Sequence, residues 1–237
     1  MKIIQYNHAR DILVEFQDSF KTTVKTRYAH FLNGSVKNPN HNTTYNIGIF
    51  GNKHISRDGD KHSKEYYTWR NMLARCYDKN NICENPTYVD SVVCDEWLLY
   101  ENFYDWLHKQ ENFNKWINGK AWCIDKDILI KGNKKYSEET CCLVPQKVNS
   151  LFTKRDNYRG SLPIGVSKTC KKYKGRLTIN GKSVNFLTRD TVEEAFMDYK
   201  IAKESFIKQI AEEEYCKGNI TKKCYDAMMK YEVEITD

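Results

Sequence analysis

Between Ile164 and Cys216 the hydrophobic period changes from that of a sheet to that of a helix, and the signals at the change leave little freedom. Ile164 to Ser167, Tyr173 to Ile179 and Ser183 to Leu187 read as short strands by β-branched and aromatic content. Asn180-Gly181 between the last two is a hairpin turn, because both central residues of such a turn adopt φ > 0. Thr191-Val-Glu-Glu194 is a capping box, and a helix to about Cys216 follows. Ala195, Phe196, Tyr199, Ala202, Phe206 and Ile210 draw one apolar stripe along it. A sheet face must cover that stripe. Tyr173, Gly175, Leu177 and Ile179 share one side of the middle strand, and Lys174, Arg176, Thr178 and Asn180 the other. Leu177 and Ile179 therefore meet the helix, and the polar side stays open.

Charge singles out the same region. From Lys147 to Arg189 there are eleven Lys/Arg against the single acid Asp156, whereas Asp190 to Asp237 holds twelve acids against seven lysines. A basic block on a chain of net charge +7 is a footprint for phosphate. Arg suits guanine edges, Asn suits adenine, and Lys suits phosphate. Lys168, Lys171, Lys172, Lys174, Arg176, Thr178, Asn180 and Arg189 are the expected DNA contacts.

Two further segments precede this one, so the expected domains are 1–63, 64–152 and 153–237. Ile12–Phe16 and Thr22–Thr26 read as strands of a small β-rich module, and Asn52 to Ser63 as a linker. Tyr66, Trp69, Met72, Leu73 and Cys76 follow helical spacing over 65–77. Trp97, Tyr100, Phe103, Tyr104 and Trp106 read as core rather than as a cofactor box. Trp122 to Ile130 has the composition of a strand, and Leu143 to Phe152 opens as a helix with Pro145 in its first turn. Residues 153–157 read as a linker. The fold class is α+β: a β-rich module, a central two-strand-and-helix domain, and a C-terminal three-stranded sheet packed on a helix.

Some classes are excluded. No apolar run approaches the ~18–20 residues of a membrane span, and the first residues hold no apolar stretch for a signal peptide. A cytoplasmic chain without a membrane partner is expected. The nine Cys are an odd number, and their spacing lacks the two close pairs of structural zinc, so neither a disulfide framework nor zinc is expected.

Two resemblances sharpen the reading. Ile164-Gly-Val166, Tyr173-Lys-Gly-Arg-Leu-Thr-Ile-Asn-Gly-Lys182 and Thr191-Val-Glu-Glu-Ala-Phe-Met-Asp-Tyr199 resemble the plant ethylene-response (apetala-type) DNA-binding domain over about 162–212. That domain's usual Leu-Gly-x-Phe turn reads Phe186-Leu187-Thr188-Arg189 here.

The central segment, about 65–152, resembles the ββα-metal core of HNH (His-Me finger) endonucleases of phages and mobile elements. The matching text is Tyr66, Trp69, Met72, Arg75, Cys76 and Tyr77; Val93-Cys94-Asp95-Glu96-Trp97 and Phe103; Asp125-Lys-Asp127; Gly132-Asn133; Tyr136-Ser-Glu-Glu-Thr-Cys-Cys-Leu-Val144; and Asn149. The resemblance implies one Mg2+ or Mn2+ held by Asp125 and Asn149 as hard oxygen ligands. The family's general base, a His directly after that Asp, is Lys126 here. In a subgroup that includes a compact rare-cutting restriction enzyme, Arg stands at this place. There the tyrosine of the Tyr-Ser-Pro motif is implicated in attack. Tyr136 holds that position, thirteen residues before Asn149 as in that enzyme. Lys126 and Tyr136 are thus the implied catalytic pair. Thr140 replaces the Asn that ties the loop to the strand, and Glu138 replaces the Pro.

The resemblances imply a phage-encoded, sequence-reading endonuclease or nickase of the homing type acting on double-stranded DNA in a bacterial cytoplasm. The alternative is the same fold with a decayed centre, a DNA-binding regulator or anti-host factor with a protein partner. The sequence leaves the oligomeric state open.

Overall fold

The computed structural model describes the whole chain except residues 19, 52, 55, 59, 60, 154–160 and 180. It is α+β, with small separate sheets and helices between them. The residues gather into two compact units, Met1–Lys109 with Lys134–Ser137, and Gln110–Asn133 with Glu138–Asp237. The stretch 64–152 therefore contributes to both, and its second part shares a unit with the C-terminal sheet.

The first unit opens with an antiparallel sheet of β1 (Lys2–His8), β2 (Asp11–Glu15) and β3 (Thr23–Thr26). Ile12 and Val14 on the middle strand are fully buried, and α1 (Tyr28–Leu32) follows. Two short hairpins come next, β4 (Asn42–Thr44) with β5 (Gly48–Ile49) and β6 (Arg57–Asp58) with β7 (Lys61–His62). Residues 52–63, expected as a linker, thus carry a small strand pair. The expected helix is α2 (Lys64–Tyr77), capped by Ser63, whose Oγ accepts from Tyr66 N at 3.2 Å. It buries Trp69, Met72 and Leu73. After α3 (Lys79–Glu84) come β8 (Val92–Val93), α4 (Asp95–Leu98) and α5 (Tyr100–His108). Trp97, Tyr100, Phe103 and Trp106 are buried, as an aromatic core requires. Trp69 Nε1 donates to Trp97 O at 2.7 Å and satisfies the ring's one polar atom.

The second unit begins with α6 (Phe113–Asn118) and β9 (Trp122–Asp125). β10 (Lys135–Tyr136) returns to the first unit and pairs in parallel with β8. β11 (Cys142–Pro145) pairs antiparallel with β9, Asp125 lying opposite Cys142 and Trp122 opposite Pro145. The strand expected over 122–130 stops at Asp125. Its carboxylate takes the N–H groups of Asp127 and Ile128, which turns the chain out of the ladder. The helix expected from Leu143 is α7 (Gln146–Asn149), because residues 142–145 are spent on pairing and Pro145 is its N-cap.

The C-terminal sheet has the order β12 (Val166–Thr169), β13 (Lys172–Ile179), β14 (Lys182–Arg189), all antiparallel. The second and third expected strands are present with longer ends, while the first begins at Val166 rather than Ile164, because Ile164 and Gly165 lie in a turn with Gly165 at φ +74°. Gly181 has φ +77°, as the hairpin turn requires, and Asn180 lies outside the described residues. The capping box forms, and α8 spans Val192–Cys216, followed by α9 (Lys222–Met229).

α8 serves two cores. Its first turns bury Ala195, Phe196 and Tyr199 against Val166, Leu177 and Val233. Its later turns bury Ile207 and Ala211 against Ile128, Cys142, Val144, Val148, Cys224 and Met228. At Gly175 the helix backbone comes close to the sheet: a Cβ there would stand 2.7 Å from Ala195 O. The hairpin of β9 and β11 cannot bury its apolar side with a four-residue α7 alone, so α8 and α9 complete it. No helix among the described residues is long and apolar enough to cross a membrane.

Candidate nucleic-acid interface and metal centre

The candidate interface is the face of the C-terminal sheet turned away from α8. By strand register, Ser167, Lys174 and Thr188 lie abreast, then Arg176 and Asn185, then Thr178 and Ser183. Arg176 and Thr178 are exposed, and Lys174 is half-buried. Arg176 Nε donates to Ser183 Oγ on the neighbouring strand. Lys172 continues the row and pairs with the exposed Asp190 at 2.8 Å. Lys171 is exposed at the turn before it, where Cys170 has φ +56°. A bulge breaks the β13–β14 ladder between Lys174 and Arg176. Phe186 and Leu187 are the two residues of β14 between the partners Asn185 and Thr188. Phe186 reaches Gly175 on the helix side, while Leu187 is 72% exposed. Phe186 and Leu187 thus form the wide side of the bulge, opposite Gly175.

Two expected contacts lie elsewhere. Arg189 is opposite Tyr173 and on the helix side. Its Nε and a terminal nitrogen donate to both Asp198 oxygens on α8, at 2.8 and 2.9 Å. A bidentate pair of this kind spends the guanidinium inside the domain, so Arg189 is a brace between sheet and helix. Lys168 is opposite Tyr173 on β12 and exposed, on the helix-side parity rather than the open one. Asn180 lies outside the described residues.

The hairpin and helix of the second unit carry Asp125 and Asn149. Asp125 closes β9, and its Oδ1 accepts from Asp127 N at 2.7 Å and Ile128 N at 2.8 Å. Burial pushes its carboxyl above the usual range, although those two backbone bonds pull the other way. Asn149 is the last residue of α7, half-buried, and its side chain makes no hydrogen bond among the described residues. A carboxylate and an unspent amide oxygen on one strand–helix unit suit a hard cation that keeps much of its water. Among the described residues no three His, Cys, Asp or Glu side chains gather around a common point.

Lys126 is turned into its own loop. It is 6% exposed. Its Nζ donates to Asp127 Oδ1 and Oδ2 at 2.7 and 2.8 Å and to Asn133 O at 2.9 Å, while Asn133 Nδ2 donates back to Lys126 O at 2.8 Å. All three of these contacts are to acceptors within its own loop, so the side chain is engaged there. Lys126 and Asn133 thus clasp the 126–133 loop. Tyr136 belongs to the first unit, unlike Asp125, Lys126 and Asn149. It is 2% exposed, pairs with Val93, and its carbonyl accepts from Cys94 N. Burial pushes its phenol far up, against the opposing charge and hydrogen bond of Arg75. Such a hydroxyl resists ionisation, which does not suit the attacking role implied by resemblance.

The sequence reading missed Glu214. It is fully buried at the end of α8 and accepts from Lys147 Nζ at 2.6 Å, Lys217 Nζ at 3.2 Å and Asn219 Nδ2 at 2.9 Å. Lys147 belongs to α7, so this carboxylate ties the helix of the hairpin to α8. Its signal was available, since Ile207, Ala211 and Glu214 fall on one helical stripe. No protein-family model matches this chain, and neither a curated protein nor a solved structure matches it.

Proposed function

We propose that the protein is a sequence-reading DNA endonuclease or nickase that binds duplex DNA through the β12–β14 sheet and uses one Mg2+ or Mn2+ at Asp125 and Asn149. The observation that carries the reading is the open face of β13. It presents Lys174, Arg176 and Thr178 in one row, backed by a helix that leaves no other side for them. Arg and Lys on such a row serve base edges and phosphates. The antiparallel β9–β11 pair followed directly by α7 supports the second half, because it puts Asp125 at a strand end and Asn149 on the next helix. An ion held there would neutralise the scissile phosphate and the leaving oxygen. The chain's own part is to hold that ion: the Asp127 and Ile128 N–H groups orient the Asp125 carboxylate, and the Lys126–Asn133 clasp fixes the loop beside it.

The engaged Lys126 and buried Tyr136 favour a second reading, the same DNA-binding scaffold without cleavage, acting as a regulator or anti-host factor through a protein partner. Incubation with supercoiled plasmid and Mg2+ or Mn2+ separates the two. Nicked or linear product, absent with Asp125→Asn, supports the nuclease. Plasmid that is bound but intact with every metal supports the second reading.

A further inference from the structure

The first unit carries a surface that neither the sheet nor the hairpin uses. The sequence has no Asp or Glu between Asp18 and Asp58, while Lys21, Lys25, Arg27, Lys37, Lys53 and Arg57 fall within that interval. Some of this charge is answered from outside it: Lys25 pairs with Asp11 at 3.7 Å and Lys53 with Asp105 at 2.7 Å. Arg10 and Arg27 are exposed, and no carboxylate among the described residues pairs with either. The backbone draws them together. Tyr28 N–H donates to Ala9 O at 2.9 Å, so the turn between β1 and β2 touches the start of α1.

Aromatic rings gather at the same place. Tyr6 stands on β1, at the edge of the sheet, and is 55% exposed. It meets Tyr28 edge-on, with centroids 5.7 Å apart and planes at 80°. Tyr28 lies nearly parallel to Phe31, with centroids 6.4 Å apart and planes at 19°. Leu32, 65% exposed, extends the apolar strip along α1. The acid in this neighbourhood is Asp11, and it is occupied. Asn7 Nδ2 donates to it at 3.0 Å, Lys25 stands beside it, and together they hold its carboxyl below the usual range.

We infer that this face binds single-stranded nucleic acid, with unpaired bases stacked on Tyr6 and the Tyr28–Phe31 pair and with Arg10 and Arg27 on the flanking phosphates. One exposed ring, two half-buried rings beside it and two unanswered arginines ask for a partner that offers flat apolar faces and negative charge in alternation. An unpaired strand offers both, whereas a duplex hides its base faces. The inference is independent of cleavage and of the β12–β14 face.

The test is fluorescence anisotropy of dye-labelled oligo-dT, oligo-rU and a random duplex with the full-length protein. Tyr6→Leu keeps an apolar contact with Tyr28 but removes the π-face. It should weaken oligo-dT or oligo-rU about ten-fold, the loss of one stacked base, and Tyr6→Trp should restore binding. Arg10→Ala with Arg27→Ala should lower the log–log salt slope by about 0.7 for each phosphate no longer neutralised. Lys174→Ala with Arg176→Ala should leave oligo-dT binding unchanged, which separates this face from the sheet. The dT and rU arms tell DNA from RNA. Unchanged single-strand affinity in Tyr6→Leu, equal competition by duplex, or no binding to either oligonucleotide overturns the inference, whatever the sheet does with duplex DNA.

Discussion

Lys203→Met should make the protein more stable, by an amount that depends on pH. Lys203 continues the line of Tyr199 and Ile207 on α8, between the two cores that the helix serves. It is part-buried, and no carboxylate among the described residues pairs with it. Glu204, its neighbour in sequence, is spent on Lys200 at 3.0 Å and on Val233 N at 2.8 Å. Burial alone lowers the Lys203 ammonium from 10.5 to about 8. A drop of that size corresponds to a ceiling of about 3 kcal/mol, at 1.36 kcal/mol per unit, and partial access to water reduces it to about 2 kcal/mol. The folded-state pKa lies below the unfolded one, so the charged form is penalised in the fold. Below pH 8 the full penalty applies. From about 8 to 10.5 the unfolded chain binds the extra proton, so wild-type stability attributable to this group rises with pH. Methionine has similar length and no charge. Urea unfolding of both proteins at pH 7 and pH 9.5 should show Lys203→Met more stable at pH 7 and the gap narrower at pH 9.5. A less stable variant, or a gap that ignores pH, would refute the unpaired-ammonium argument.

Other substitutions test other parts. Glu214→Ala should cost about 1–2 kcal/mol in urea unfolding, since it removes an acceptor of three side chains while leaving its two lysine partners half-exposed to water. Burial alone would raise this carboxyl, but its hydrogen bonds with Lys147, Asn219 and Lys217 outweigh that and hold it low. Its contribution should therefore stand above the ordinary carboxylate range and fade as pH falls through the lowered value, so wild type and Glu214→Ala should converge in acid. Tyr136→Phe should cost about 1–2 kcal/mol by removing the hydrogen bond with Arg75. If the protein cleaves DNA, this variant should still do so, and loss of cleavage with intact folding would restore the attacking role. Arg189→Met should lower the melting temperature slightly, by removing the Asp198 pair, and should leave the salt slope of DNA binding unchanged.

Local signals carried much of the fold. The Thr191 capping box, Gly181 at φ +77° and the alternation along β13 all specify structure within a few residues, and each stands where the pattern put it. What sequence could not show were partnerships between distant residues. Nothing near Arg189 says that Asp198 will take both of its donors, and nothing near Lys126 says that Asn133 O will accept from it. The strand expected through Ile130 had the right composition, but composition does not reveal that Asp125 will claim two backbone N–H groups. Nor did local signals show that α8 would cover the β9–β11 pair. The apolar stripe read from Ala195 to Ile210 was assigned to one sheet, and Ile207 and Ala211 belong to another core. At the candidate centre, the positions of Asp125 and Asn149 were legible as a strand end and a following helix, while the burial of Tyr136 was not.

Both readings of function require the β13 face to hold duplex DNA, so a salt titration of that binding tests the account most directly. Binding of the unaltered protein to duplex DNA should fall steeply with salt on a log–log plot. Lys174→Ala with Arg176→Ala should flatten that slope by about one unit for each phosphate that the sheet no longer neutralises. Duplex affinity and slope unchanged in this double variant, with its melting curve intact, would contradict the assignment of the sheet as the reading surface.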